Sequence, residues 1–231
     1  MPMNTLILAC ASLEKEVYLA MEHQGISMRM EILSDNNHDV PNKLRNAIQE
    51  KLNELSGIER VLLAFGTCGG AMVGLHTGDY ELIIPRVDDC LSLLMGSMEN
   101  RYGVLNGKFG VFLTESWLNS AKSMEKELAR IRSVYPGKRA EKIIQLMYQH
   151  FSSLNVIDTG AYCIEKILPR TRKLAEQLHL EHRVVPGTVA YLEKLLTGPW
   201  TEKEFIRIAP DSTITDADVR IGAADGTARV E

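Results

Sequence analysis

The chain has 231 residues and a formal charge of −4, with 45 % apolar and 24 % charged residues. That balance is ordinary for a folded globular protein and leaves no basic footprint for nucleic acid or an acidic membrane surface. No stretch approaches the roughly 20 apolar residues that span a bilayer. Met1-Pro2-Met3-Asn4 lacks the basic start of a signal peptide, so a cytoplasmic protein with neither nucleic acid nor membrane as partner is expected.

Strand-like and helix-like segments alternate along the chain. The apolar run 4–10 (NTLILAC) reads as a strand and 12–25 (SLEKEVYLAMEHQG) as a helix, with Ser12 as N-cap and Gly25 as its stop. Residues 28–33 read as a strand and 41–55 as a helix opened by Pro41, whose apolar positions Leu44, Ile48, Leu52 and Leu55 keep helical spacing. Strand 60–65, a glycine loop, strand 81–85, helix 88–97 and strand 109–114 follow.

The second half is more helical. Segments 116–133 and 138–151 read as helices, 154–158 as a strand, and 161–179 as a helix broken or kinked at Pro169. A short strand near 182–186, a helix over 188–198 and a strand over 204–209 complete the pattern. The polar tail 210–231 is expected to be extended or poorly ordered. Residues 1–209 read as one domain, with a subdivision allowed near 115–135. The alternation predicts an α/β fold, a mostly parallel, Rossmann-like sheet flanked by helices. Right-handed crossovers would then gather the strand-to-helix loops at the carboxyl edge, where ligands bind.

Four cysteines, Cys10, Cys68, Cys90 and Cys163, occur without any Cys-x-x-Cys pair, and a reducing compartment disfavours disulfides. Cys10 ends the first strand, Cys68 follows the third and Cys90 opens the helix after the fourth. His38, in 34–41 (SDNNHDVP), follows the second. Three thiolates and one imidazole at a shared edge form a set suited to zinc, or to an iron–sulfur cluster with an unusual fourth ligand. Helix N-termini at that edge would lower the thiol pKa values. Singly, each residue reads as readily as a buried small hydrophobe or a solvated turn histidine. Cys163 lies inside the predicted helix of the other half and reads as structural.

The loop Gly66-Thr67-Cys68-Gly69-Gly70 lacks both the Walker lysine and the dinucleotide fingerprint. Its Gly66, Thr67, Gly69 and Gly70 could still offer backbone N–H groups to a phosphate. Thr114 and Trp117, after the fifth strand, are candidates for the wall of a flat cofactor. Asp88 and Asp89 read as caps of the following helix, and Asp158-Thr159-Gly160 as another cap.

These residues resemble a family, domain-of-unknown-function family 1638. The likeness runs through 7–10 (ILAC), 38–45 (HDVPNKLR), 66–70 (GTCGG), 85–97 (PRVDDCLSLLMGS), 113–117 (LTESW), 158–162 (DTGAY) and 198–200 (GPW). It includes Cys10, His38, Cys68 and Cys90 and leaves Cys163 out. The resemblance implies an accessory role beside corrinoid-dependent methyltransferases for methylamines and related one-carbon substrates. A corrinoid protein or methyltransferase would be the partner, and a corrinoid a further cofactor. Two other functions fit the residues: a metalloenzyme using the same thiols, and a corrinoid- or nucleotide-binding module whose cysteines are structural.

Overall fold

A computed structural model describes residues 4–34 and 40–220. It has the expected α/β architecture, mostly parallel strands flanked by helices. The strands divide into two sheets. In the first, β1 (Thr5–Cys10) lies between β2 (Arg29–Leu33) and β3 (Arg60–Ala64), followed by β4 (Glu81–Pro85) and β8 (Phe205–Ile208), in the order β2-β1-β3-β4-β8. The first four strands are parallel and β8 pairs antiparallel to β4. The second sheet is wholly parallel: β5 (Phe109–Leu113), β6 (Phe151–Asp158) and β7 (Glu181–Pro186), with β6 in the centre.

Burial explains why the central strands read as continuous apolar runs. Leu6 through Cys10 and Val61 through Ala64 are all buried, as they must be when helices cover both faces of a parallel sheet. Helix α1 (Glu14–Gln24) joins β1 to β2, and α2 (Pro41–Asn53) joins β2 to β3. Pro41 opens α2, where its missing N–H costs nothing, and Leu44, Ile48 and Leu52 are buried at the expected spacing. Gly25 caps α1 in the left-handed conformation, as its position suggested.

Helices α3 (Cys90–Leu94) and α4 (Met98–Leu105) lead out to the second sheet. There α5 (Glu115–Asn119), α6 (Met124–Val134), α7 (Lys138–Tyr148) and α8 (Leu168–Leu178) surround a second core of Leu128, Ile131, Ile144, Leu154, Val156 and Leu174. The chain then returns. Helix α9 (Ala190–Thr197) packs on α1, and its Leu192 and Leu195 join the first core.

Several local expectations need correction. Ser12 does not cap α1: a 3-10 turn, Ala11–Leu13, comes first, and the N-cap position is Leu13. The helix expected over 116–133 breaks between Asn119 and Met124. The Ser120 side chain there accepts from the Lys122 N–H at 3.0 Å, a local bond that competes with helix. Pro169 does not kink a helix. It lies in the first turn of α8, and Cys163 precedes a separate 3-10 turn rather than lying inside a helix. Helix α4 was not anticipated. Residues 212–214 of the polar tail run beside 74–77, with Ile214 buried; residues 221–231 lie outside the described residues. Among the described residues no helix is long and apolar enough to cross a membrane.

Candidate thiol site

The order β2-β1-β3-β4 places the reversal of the chain between β1 and β3. Crossovers leave in opposite directions there, and the diverging loops open a crevice at the carboxyl edge. Cys10 ends β1 and Cys68 follows β3, so these two thiols flank that crevice, while Cys90 follows β4 on the next strand. Neighbouring strands lie about 4.8 Å apart, which brings three successive strand ends within side-chain reach. His38 belongs to the loop after β2 and lies outside the described residues.

Local chemistry fixes each thiol differently. The fully buried Cys10 has its Sγ 2.8 Å from the Ser12 hydroxyl, and the Ser12 N–H points at the same sulfur at 3.4 Å. Ser12 also opposes, weakly, the rise that burial imposes on the Cys90 pKa. Cys68 is partly exposed and holds a left-handed backbone, φ +45°, followed by Gly69 at +66° and Gly70 at +83°. A side chain in that region is strained, and surrounding bonds must hold it. The Cys68 N–H donates to the Asp88 carbonyl at 2.8 Å, and the Thr67 N–H to the Val87 carbonyl at 2.8 Å. From α2, the Arg45 guanidinium donates to the carbonyls of Gly70 and Ala71 at 3.1 and 3.3 Å. Gly66 has no alternative: a Cβ there would lie 2.5 Å from the Asp89 backbone.

The electrostatics overturn one expectation. Helix N-termini do not lower the pKa of Cys68 or of Cys90. Burial pushes Cys68 up to about 12, helped by Cys10 and Asp89, against one hydrogen bond from the Gly66 backbone. Burial also drives Cys90 well above the usual range, with Cys68, Cys10 and Asp89 adding to it. Cys10 therefore penalises ionisation of both Cys68 and Cys90, and Cys68 that of Cys90. Without a cation Cys68 and Cys90 are held as neutral thiols.

Asp89 caps α3, accepting from the Ser92 N–H at 3.1 Å, as expected. Asp88 does not cap; its carboxylate takes the Arg101 guanidinium and the Tyr102 hydroxyl, each at 2.9 Å. A cleft of 460 Å³ opens beside the thiols, lined by Pro41, Cys68, Gly69, Asp89, Cys90, Leu91 and Trp117.

The family profile that matches this chain covers residues 32–196 and is described as a protein of unknown function, DUF1638. The chain belongs to DUF1638. No curated protein and no solved structure matches it. Within this DUF1638 chain the matched span holds His38, Cys68 and Cys90, and Cys10 precedes it.

The donor set fits a thiophilic cation in type and in placement at one edge. Among the described residues, however, no three of His, Cys, Asp and Glu are grouped as around a bound ion. Ligation would therefore require the donors to draw together. The phosphate-cradle residues fare less well. The N–H groups of Thr67, Cys68 and Gly70 already donate to protein carbonyls, and Gly66 is closed off by Asp89. Gly69 and Trp117 do face the cleft. Thr114 is fully buried, with no hydrogen-bond partner for its hydroxyl among the described residues. Thr159 is not a cap but donates to Glu16 at 3.0 Å. Sequence reasoning missed Ser12, Arg45 and Arg101 as supports of the site. Only the first, two residues from Cys10, left a local signal.

Proposed function

We propose that this chain is a cytoplasmic thiol-ligated metal protein. Cys10, Cys68 and Cys90, with His38 as fourth ligand, hold zinc or an iron–sulfur cluster. We further propose that it serves corrinoid-dependent one-carbon metabolism as an accessory to a corrinoid protein or methyltransferase. The observation that supports the metal reading is that three thiols follow three adjacent parallel strands at one edge of the sheet, one of them on a left-handed backbone. Cys68 and Cys90, held neutral by burial and by the thiols beside them, form a poor nucleophilic set, but a bound cation would neutralise that repulsion. Support for the metabolic role comes from the resemblance alone.

The bound group would supply redox or Lewis-acid chemistry, while the chain orients it and limits access. Cys10 is fully buried, while Cys68 and Cys90 line the cleft, so among the described residues the cleft gives access to two of the three thiols. That asymmetry favours one second reading, a metalloenzyme whose substrate enters past Trp117. Anaerobic purification followed by metal and sulfide analysis tests the proposal. The expected result is stoichiometric metal that is lost in Cys68→Ser. Metal-free wild-type protein, before and after reconstitution with zinc or iron and sulfide, rejects it. Turnover of a methyl donor would then separate enzyme from accessory.

A further inference from the structure

We infer that Arg101 is a positioning residue for the thiol site. It clamps the two-aspartate loop between β4 and α3, which anchors Cys68 by its backbone and carries Cys90 at its end. The role in ligation rests on the metal reading above, whereas the clamp itself does not.

Arg101 sits on α4, outside the cleft, with a side chain only 18 % exposed. A single guanidinium nitrogen, Nη1, lies 2.9 Å from Asp88 Oδ2 and 2.6 Å from Asp89 Oδ2. Adjacent carboxylates repel, so the cation between them is what lets both point the same way. The Tyr102 hydroxyl donates to the same Asp88 oxygen, and the Asp89 N–H donates to Asp88 Oδ1 at 3.0 Å. On the other side of this loop the Asp88 carbonyl accepts from the Cys68 N–H at 2.8 Å and from the Thr67 hydroxyl at 3.3 Å. Gly66 lies directly against the Asp89 backbone. One short segment thus stands between Arg101 and two of the three thiols. A surface ion pair would do little here, but this one is largely removed from water and fixes a strained cysteine.

Charge and position predict opposite signs. Removing a positive group near a cation site strengthens cation capture by Coulomb attraction alone. Loss of the clamp weakens it, because the thiols no longer share one geometry. The experiment uses the full chain in a Cys163→Ala background, since Cys163 is exposed and would react first. Metal-free protein is treated with a chromogenic aromatic disulfide, and separately titrated with Co²⁺ while the sulfur-to-cobalt absorption is followed. Arg101→Gln should speed thiol labelling by about tenfold through local opening. It should weaken Co²⁺ binding by roughly 10- to 100-fold, the usual cost of losing a supporting partner of a ligand. Arg101→Lys should restore both toward wild type, because an ammonium can also sit between two carboxylates.

Unchanged labelling in Arg101→Gln overturns the inference, and tighter Co²⁺ binding with unchanged labelling shows an effect of charge only. Faster labelling, together with a wild type that binds no Co²⁺, keeps the clamp and removes the metal reading. Should Arg101→Gln not fold, Asp88→Asn takes its place. It removes the shared carboxylate and keeps the carbonyl that holds Cys68, so the same faster labelling is expected, and an unchanged rate overturns the clamp.

Discussion

At the scale of single residues, the placement of the thiols after their strands was readable from the sequence because position along an alternating chain maps directly onto one sheet edge. Cys10, Cys68 and Cys90 each follow a strand, and parallel strands bring their ends together. Their ionisation was not readable, since it depends on burial and on neighbours distant in sequence. Cys163 behaves differently: it is exposed, and its thiol donates to the Glu165 carboxylate at 3.2 Å, far along the chain from the other three. Cys163→Ala should therefore leave metal content unchanged, and a loss of metal in that variant would show that the wrong thiols have been assigned. Gly66 makes the opposite case. In Gly66→Ala the new methyl would meet Asp89 backbone at 2.5 Å, so the loop must move. A destabilisation of about 1–3 kcal/mol is expected from such overpacking. Urea unfolding would measure it, and a wild-type midpoint would mean that the two loops part easily.

At the scale of elements, hydrophobic periodicity located nearly every strand, and the α2 spacing of Leu44, Ile48 and Leu52 survived intact. The boundaries that failed depend on competition between local bonds. Ser120 interrupts what apolar spacing alone joins, and Pro169 starts a helix because nothing in sequence distinguishes a first-turn proline from a kink. Helix α4 was missed for a different reason. None of its residues is fully buried, so no apolar stripe announces it. Its start is instead written in one cap: Ser97 Oγ accepts from the Asn100 N–H at 3.0 Å. Ser97→Ala should cost about 1 kcal/mol in chemical unfolding, the usual value of such a cap. Because α4 carries Arg101, thiol labelling in that variant also reports whether a frayed α4 releases the clamp. A change in stability below a few tenths of a kcal/mol would show that Tyr102 and Arg101 hold α4 without its cap.

At the scale of the whole molecule, the two sheets are joined at a point that periodicity cannot reveal, because it lies between residues 100 and 143 positions apart. Glu16, on α1, is fully buried and accepts from Thr159 at the end of β6. Its other oxygen, Oε2, has no hydrogen-bond partner among the described residues. Next to it, Lys15 forms an ion pair with Glu115 at the start of α5, so two neighbouring residues of α1 tie the first sheet's layer to both β5 and β6 ends. Burial raises the Glu16 pKa above its ordinary 4.5, and Glu115 adds to this, while Thr159 and Lys15 oppose it. The sign follows directly. Below 4.5 the carboxyl is protonated whether the chain is folded or not, and it carries no penalty. As pH rises toward the raised folded value, the unfolded chain releases the proton that the folded chain retains, so stability falls. Glu16→Gln keeps an acceptor for Thr159 and removes the ionisation. Its stability relative to wild type should therefore climb as pH rises from below 4.5 and level off once the native carboxyl ionises. Urea unfolding across that range measures the difference between the two proteins. A difference that stays flat with pH would mean that Glu16 ionises as easily at the junction as in the unfolded chain, and that the contact between the sheets does not bury its charge.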